Sequence, residues 1–248
     1  MTTISVRLEG FSALAASLGE QARQIPFAAS QALNATARTI RAATLAEMAA
    51  NFDRPTPLVM KSLFIAPATK AKLQAAVYLK DREIGGKNSR SMAEILGHQF
   101  AGGTRLRKRM ETAFTEAGLI SLGEYLVPGP DAKLDQYGNL SRGQTQQIYA
   151  ALRLFRDPYQ NATQSARSQR HAKAAGRIFW SDGKGANKRR RGLWATDARG
   201  FPKLLMLVIP TPVYQRRIDM DRQSATIVAS DFPANFDSAL KKAMATAR

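Results

Sequence analysis

Residues 27–51 run FAASQALNATARTIRAATLAEMAAN. The segment is rich in Ala, the residue with the highest helix propensity. Leu33, Ala37, Ile40, Thr44 and Met48 recur at spacings of three and four, which puts them on one stripe. The spacing predicts a helix about 37 Å long. Pro26 suits its first turn, where a missing N–H costs nothing. Pro55 and Pro57 bias the residues before them toward extended backbone and end it. The small residues of the stripe permit close packing against a sheet or a second helix.

Working outward, residues 4–8 alternate apolar and polar, as a short strand does. Residues 11–24 carry Phe11, Leu14 and Leu18 on one helical face. Residues 71–79 place Ala71, Leu73, Ala75, Val77 and Leu79 on one face of a half-buried strand, and residues 64–66 add a short strand before it. Further on, residues 106–117 have helical spacing of Leu106, Met110, Ala113 and Phe114. Ser141 can cap a helix striped by Ile148, Leu152 and Phe155. Strands are expected at 192–195, 204–209, 213–220 and 225–230. Asp231 is the expected cap of a last helix, with Pro233 in its first turn and Phe236, Ala239, Leu240, Ala243 and Met244 inward.

The late strands are joined by short links, so they are read as antiparallel. The class is α+β: a small, mostly antiparallel sheet flanked by the long Ala-rich N-terminal helix and a C-terminal helix, with long extended insertions. One domain over 1–248 is expected, with 81–145 and 160–192 as insertion or arm segments within it.

The 248 residues contain no Cys, which excludes a disulfide scaffold, a thiolate zinc site, an iron–sulfur cluster and a cysteine nucleophile. His98 and His171 are the only histidines, so no His-rich metal site is expected. No apolar run reaches the roughly 18 residues that a membrane helix needs, and the first residues lack the apolar core of a secretory signal. The expected setting is a reducing host cytoplasm, or a particle assembled there.

The formal net charge is +18. Residues 1–60 contribute little of it. Residues 167–203 hold eleven Lys and Arg against Asp182 and Asp197, a net +9. Such a block suits a polyanion, an acidic protein surface, or a solvated loop. Within it, Arg177, Lys184, Lys188, Arg189, Arg190 and Arg191 lie among Phe179, Trp180 and Trp194. Basic residues interleaved with aromatics can meet nucleic acid by phosphate contact and stacking. No sequence-reading motif accompanies them.

A second basic group, Arg105, Arg107, Lys108 and Arg109, follows Gly102-Gly103-Thr104. Backbone N–H groups before a helix can cradle a phosphate, although the spacing of a nucleotide loop is absent. The other reading is a tight turn. Glu111, Glu116, Glu124, Asp131 and Asp135 form the local acidic group, but nothing in their spacing fixes a catalytic pair. No enzyme and no cofactor is expected. His98 reads as structural.

The order of short motifs now carries a resemblance. It runs Ala32-Leu-Asn-Ala-Thr-Ala37, Gln99-Phe-Ala-Gly-Gly-Thr-Arg105, Lys108-Arg-Met-Glu111, Val127-Pro-Gly129, Tyr137-Gly-Asn139 and Ser141-Arg-Gly143. Gly192-Leu-Trp194 and Leu207-Val-Ile-Pro-Thr-Pro-Val-Tyr214 follow. This order resembles tailed-phage virion proteins of the minor-tail Z-like, or tail-completion, type. The resemblance implies a structural virion protein at the neck or tail, forming a ring of copies between portal and tail. Portal or connector and tail proteins would be its partners, with DNA in the channel lumen as a non-specific one and no membrane. The alternative class is a non-specific nucleic-acid-binding protein.

Overall fold

The computed structural model describes residues 3–7, 24–80, 90–161, 165–167, 170, 177–184, 189–197 and 199–246. The expected helix at 11–24 falls almost wholly outside these. The elements run β1 (Thr3–Arg7), α1 (Ile25–Asn51), α2 (Pro57–Met60), β2 (Leu63–Ala66), β3 (Gln74–Leu79), α3 (Met92–Ala101), β4 (Gly103–Thr104), α4 (Arg109–Glu116), β5 (Glu124–Pro128), α5 (Arg142–Ala151), β6 (Ile178–Ser181), β7 (Gly192–Thr196), β8 (Pro202–Pro210), β9 (Val213–Tyr214) and α6 (Met220–Thr246). The fold is mixed α+β with antiparallel sheets between a long N-terminal and a long C-terminal helix.

In place of the single domain expected over 1–248, the chain divides into two compact units: residues 1–105 with 214–248, and residues 106–213. The physical reason is that the middle of the chain buries an apolar cluster of its own. Among the described residues, part of what reads as arm is therefore built structure. Residues 81–145 supply α3, β4, α4 and β5, and 160–192 supplies β6.

The first unit rests on α1. Its stripe of Leu33, Ala37, Ile40, Thr44 and Met48 is buried as the spacing predicts. The sheet order is β1-β3-β2, with Ile65 opposite Val77 and Leu63 opposite Leu79. Ala75, Val77 and Leu79 turn inward to the same core as α1. Two polar ties set α1 against its neighbours. The Asn34 side chain donates to the Ala68 carbonyl (3.0 Å) and accepts from the Ala68 N–H (2.7 Å), and Arg41 Nε donates to the Leu63 carbonyl (2.8 Å).

The C-terminal end departs most from expectation. Only Val213 and Tyr214 of the strand expected at 213–220 are extended. The strand expected at 225–230 lies inside α6, and Asp231 and Pro233 are internal to that helix. Thr226, Ile227 and Val228 have strand propensity, but tertiary packing overrides it. Asp219 starts the helix instead: its carboxylate accepts from the Arg222 N–H (3.0 Å). The Thr44 hydroxyl donates to Gln223 Oε1 (3.1 Å) and Asn235 Nδ2 donates to Thr36 Oγ1 (3.0 Å), so α6 runs antiparallel along α1. Pro233 removes one backbone donor. Ile227, Val228 and Phe232, packed on the first core, carry the helix through it.

The second unit is a four-stranded antiparallel sheet, order β5-β8-β7-β6, with α4 and α5. Phe114, Ile120, Leu126, Ile148, Leu193, Leu205 and Met206 form its core. Gly192 is required where β7 meets β8, because a Cβ there would collide with the Met206 carbonyl oxygen. Ser141 caps α5 as expected, accepting from the Gln144 N–H (3.4 Å). The late strands thus pair with β5 of the expected arm, not with the sheet beside α1. A two-residue ribbon pairs β4 with β9, at the points where the chain leaves and re-enters the first unit.

Candidate polyanion interface

The hairpin β6–β7 builds the candidate site. Strand alternation sends successive side chains to opposite faces. Ile178, Trp180, Leu193 and Ala195 belong to the second core, and Trp180 meets Phe114 edge-on at 5.7 Å between centroids. Phe179 on β6, with Trp194 and Thr196 on β7, therefore lie on the outer face, and the exposed Arg177 directly precedes β6. Phe179 and Trp194 are direct cross-strand partners, and both are half-buried. The Arg189 guanidinium stands over the Phe179 ring at 5.3 Å, a favourable cation–π placement. Trp194 Nε1 donates to the Arg190 carbonyl (3.0 Å), which fixes the indole. In the connecting turn, Asp182 accepts from the Lys184 N–H (2.9 Å), so the Asp182 carboxylate organises backbone while Lys184 stays exposed.

Of the residues expected to contact a polyanion, Arg177, Lys184, Arg189 and Arg190 are brought together on this hairpin. Arg191 is there too but turns inward: it pairs with Glu124 and donates to the Leu119 carbonyl (3.0 Å). The Ser121 N–H, donating to Glu124 at 2.8 Å, holds that carboxyl below its ordinary range, and the Arg191 charge adds to this. Lys188 and His171 lie outside the described residues.

The second basic group is not a phosphate cradle. Gly102 closes α3, with φ +77 and its N–H donating to the His98 carbonyl (2.9 Å). Gly103 and Thr104 continue as strand. That is the tight-turn reading, and strand β4 and residues 105–108 separate the turn from the N-terminus of α4. Arg105 belongs to the first unit, whereas Arg107, Lys108 and Arg109 belong to the second. Arg107 is a structural tie and not an anion contact. Its guanidinium donates to the carbonyls of Ser121, Leu122 and Glu111 and to Thr115 Oγ1, and lies over the Tyr125 ring. Lys108 gives its backbone N–H to Glu111 (2.6 Å), and Arg109 opens α4.

The acidic group has structural occupations. Glu111 is 1% exposed and accepts from the Lys108 and Leu126 N–H groups, the latter at 2.9 Å. This carboxylate also occupies a backbone donor on the open side of edge strand β5. Asp131 accepts from the Leu204 N–H, and Asp135 from those of Tyr137 and Asn139, each at 2.9 Å. Among the described residues, no group of three or more His, Asp and Glu is placed to hold a metal. No helix among them is long and apolar enough to cross a membrane.

His98 packs against Tyr214 at 4.8 Å between centroids, and the Gln99 amide lies 2.7 Å from its Nε2. Burial, and then the Arg105 and Arg217 charges, hold its pKa below the ordinary histidine value. Its helix, α3, is one that the sequence reading passes over. A signal for it exists, since Ser91-Met-Ala-Glu94 forms a full capping box. Comparison with protein-family models, curated proteins and solved structures finds no match to this chain.

Proposed function

We propose that this chain is a structural virion protein of a tailed bacteriophage, at the head–tail junction or in the tail. In this reading it assembles with copies of itself as a ring between portal and tail. The order of sequence motifs suggests the class. The structural observation that supports an assembling role is a pair of exposed apolar side chains on the second unit. Leu122 is 77% exposed and Val213 is 78% exposed. Thr211 Oγ1 donates to the Gly123 carbonyl (3.0 Å), which ties their two turns together. Exposed apolar side chains suit burial against a neighbouring subunit, and a stable ring contact buries more than about 1,000 Å². Cryo-electron microscopy of the purified particle tests the reading. Density for the chain as a ring at the portal–tail junction is expected, and its absence from the particle overturns the proposal.

A second reading, non-specific nucleic-acid binding, is favoured by one observation: Arg177, Lys184, Arg189 and Arg190 gather around two half-buried aromatic rings on one hairpin. It expects affinity for DNA of any sequence that falls steeply with salt. The two readings are compatible if the hairpin faces a DNA channel.

A further inference from the structure

We infer that the outer face of hairpin β6–β7 binds single-stranded nucleic acid, with bases stacking on Trp194 and on the Arg189 guanidinium that lies over Phe179. The inference rests on the nucleic-acid reading above and sharpens it to one strand chemistry and one surface.

Charge alone would serve any polyanion; the aromatic geometry is what selects. Phe179 and Trp194 are partners across two paired strands, so their positions are set by the sheet ladder and not by a mobile loop. The indole is held by its bond to the Arg190 carbonyl, and Trp194 is only half-buried. Gly192, two residues before Trp194 on the same face, has no side chain to cover the ring edge, and the Met206 carbonyl forbids one there. On the Phe179 side the Arg189 guanidinium carbon lies over the ring, 5.3 Å from its centroid. Arginine planes and indoles both accept a nucleobase by stacking. Duplex DNA buries its base faces in its own stack and can offer this surface only phosphates. A single strand offers both bases and phosphates. Arg177 and the exposed Lys184 and Arg190 are placed to neutralise the backbone.

The test uses the full chain carrying Trp180→Phe, which leaves Trp194 as the sole tryptophan. Trp180 packs in the core, so the Phe replacement keeps a ring against Phe114. An oligothymidylate of about 15 nucleotides is titrated against a duplex of the same length, following indole fluorescence. Quenching by the single strand, with tighter binding than the duplex, is expected. Trp194→Leu and Phe179→Leu should each weaken single-strand binding by about tenfold and leave duplex binding unchanged. If Trp194→Leu does not fold, Trp194→Phe must retain near-normal affinity, since it keeps a stacking ring. Arg189→Gln with Arg190→Gln should weaken both forms and flatten the salt dependence. Equal, salt-dependent binding of both forms without quenching overturns the stacking inference and leaves the broader reading standing. Absence of binding to either form at low salt overturns both the stacking inference and the nucleic-acid reading.

Discussion

The two units of this chain are stabilised by different chemistry. The first is built from length: two 27-residue helices lie antiparallel over a three-stranded sheet, and its core is an apolar stripe at regular spacing. The second is built from short elements, and side chains reach backbone far away in sequence in it, as Asn34 and Arg41 do in the first. Glu111 bonds the Leu126 N–H, Arg191 bonds the Leu119 carbonyl and pairs with Glu124, and Asp131 bonds the Leu204 N–H. Charge in the second unit therefore has two occupations. Arg107 and Arg191 bond within the unit, whereas Arg177, Lys184 and Arg190 are exposed and Arg189 lies over the Phe179 ring. A basic block in a sequence cannot be assigned to binding as a whole when part of it is structural in this way.

The contrast can be broken by experiment, because the probes separate cleanly. Both tryptophans, Trp180 and Trp194, lie in the second unit, while the two long helices dominate the far-ultraviolet dichroism and lie in the first. The largest effects should come from core truncation. Phe114→Ala should destabilise the second unit by about 4 kcal/mol, and Leu33→Ala the first by about 3 kcal/mol. Both residues are essentially inaccessible to solvent. In urea, Phe114→Ala should move the fluorescence transition and leave the dichroism transition in place, and Leu33→Ala should do the reverse. If either substitution moves both transitions together, the two units unfold as one and the contrast is wrong.

A smaller effect sharpens the account of the C-terminal helix. Asp219→Ala removes the carboxylate that accepts from the Arg222 N–H and should cost about 1 kcal/mol. The loss should appear in the dichroism transition alone. No change would mean that packing on α1, and not the cap, sets where α6 begins.

The smallest effect is a pH dependence confined to the second unit. The Glu124 carboxyl is held below the unfolded-chain value of 4.5 by the Ser121 N–H, with help from Arg191. A lowered folded-state pKa stabilises above the unfolded value, and that stability is lost as pH falls through the folded one. Acid should therefore weaken the fluorescence transition below about pH 4.5, and Glu124→Gln should flatten that dependence. An unchanged acid profile in the variant would show that the Arg191–Glu124 pair does not couple to folding.

Much of the first unit was legible in the sequence. The stripe of α1, the inward face of β3 and the prolines that end α1 are local patterns, written within one or two helical turns or strand pleats. The capping signals at Ser141 and at Ser91 to Glu94 are equally local. The candidate interface was half legible. The aromatic and basic residues around 177–194 stand out by composition, but their pairing does not. Phe179 and Trp194 are 15 positions apart, and only the β6–β7 register makes them neighbours.

What the sequence by itself determined is the inventory: helix-forming and strand-forming segments, where charge accumulates, and which chemistries its missing cysteines exclude. Tertiary structure alone decided three things. It decided that residues 106–213 bury a core of their own, that 225–230 is helix although its β-branched residues suit a strand, and that Arg107 and Arg191 turn inward. The reason is the same in each case. A propensity is worth a fraction of a kcal/mol per residue, whereas burying an apolar side chain is worth several times that. Burial and charge pairing depend on partners far off in the chain, as Arg191 depends on Glu124 and Thr44 on Gln223, and no local pattern encodes them.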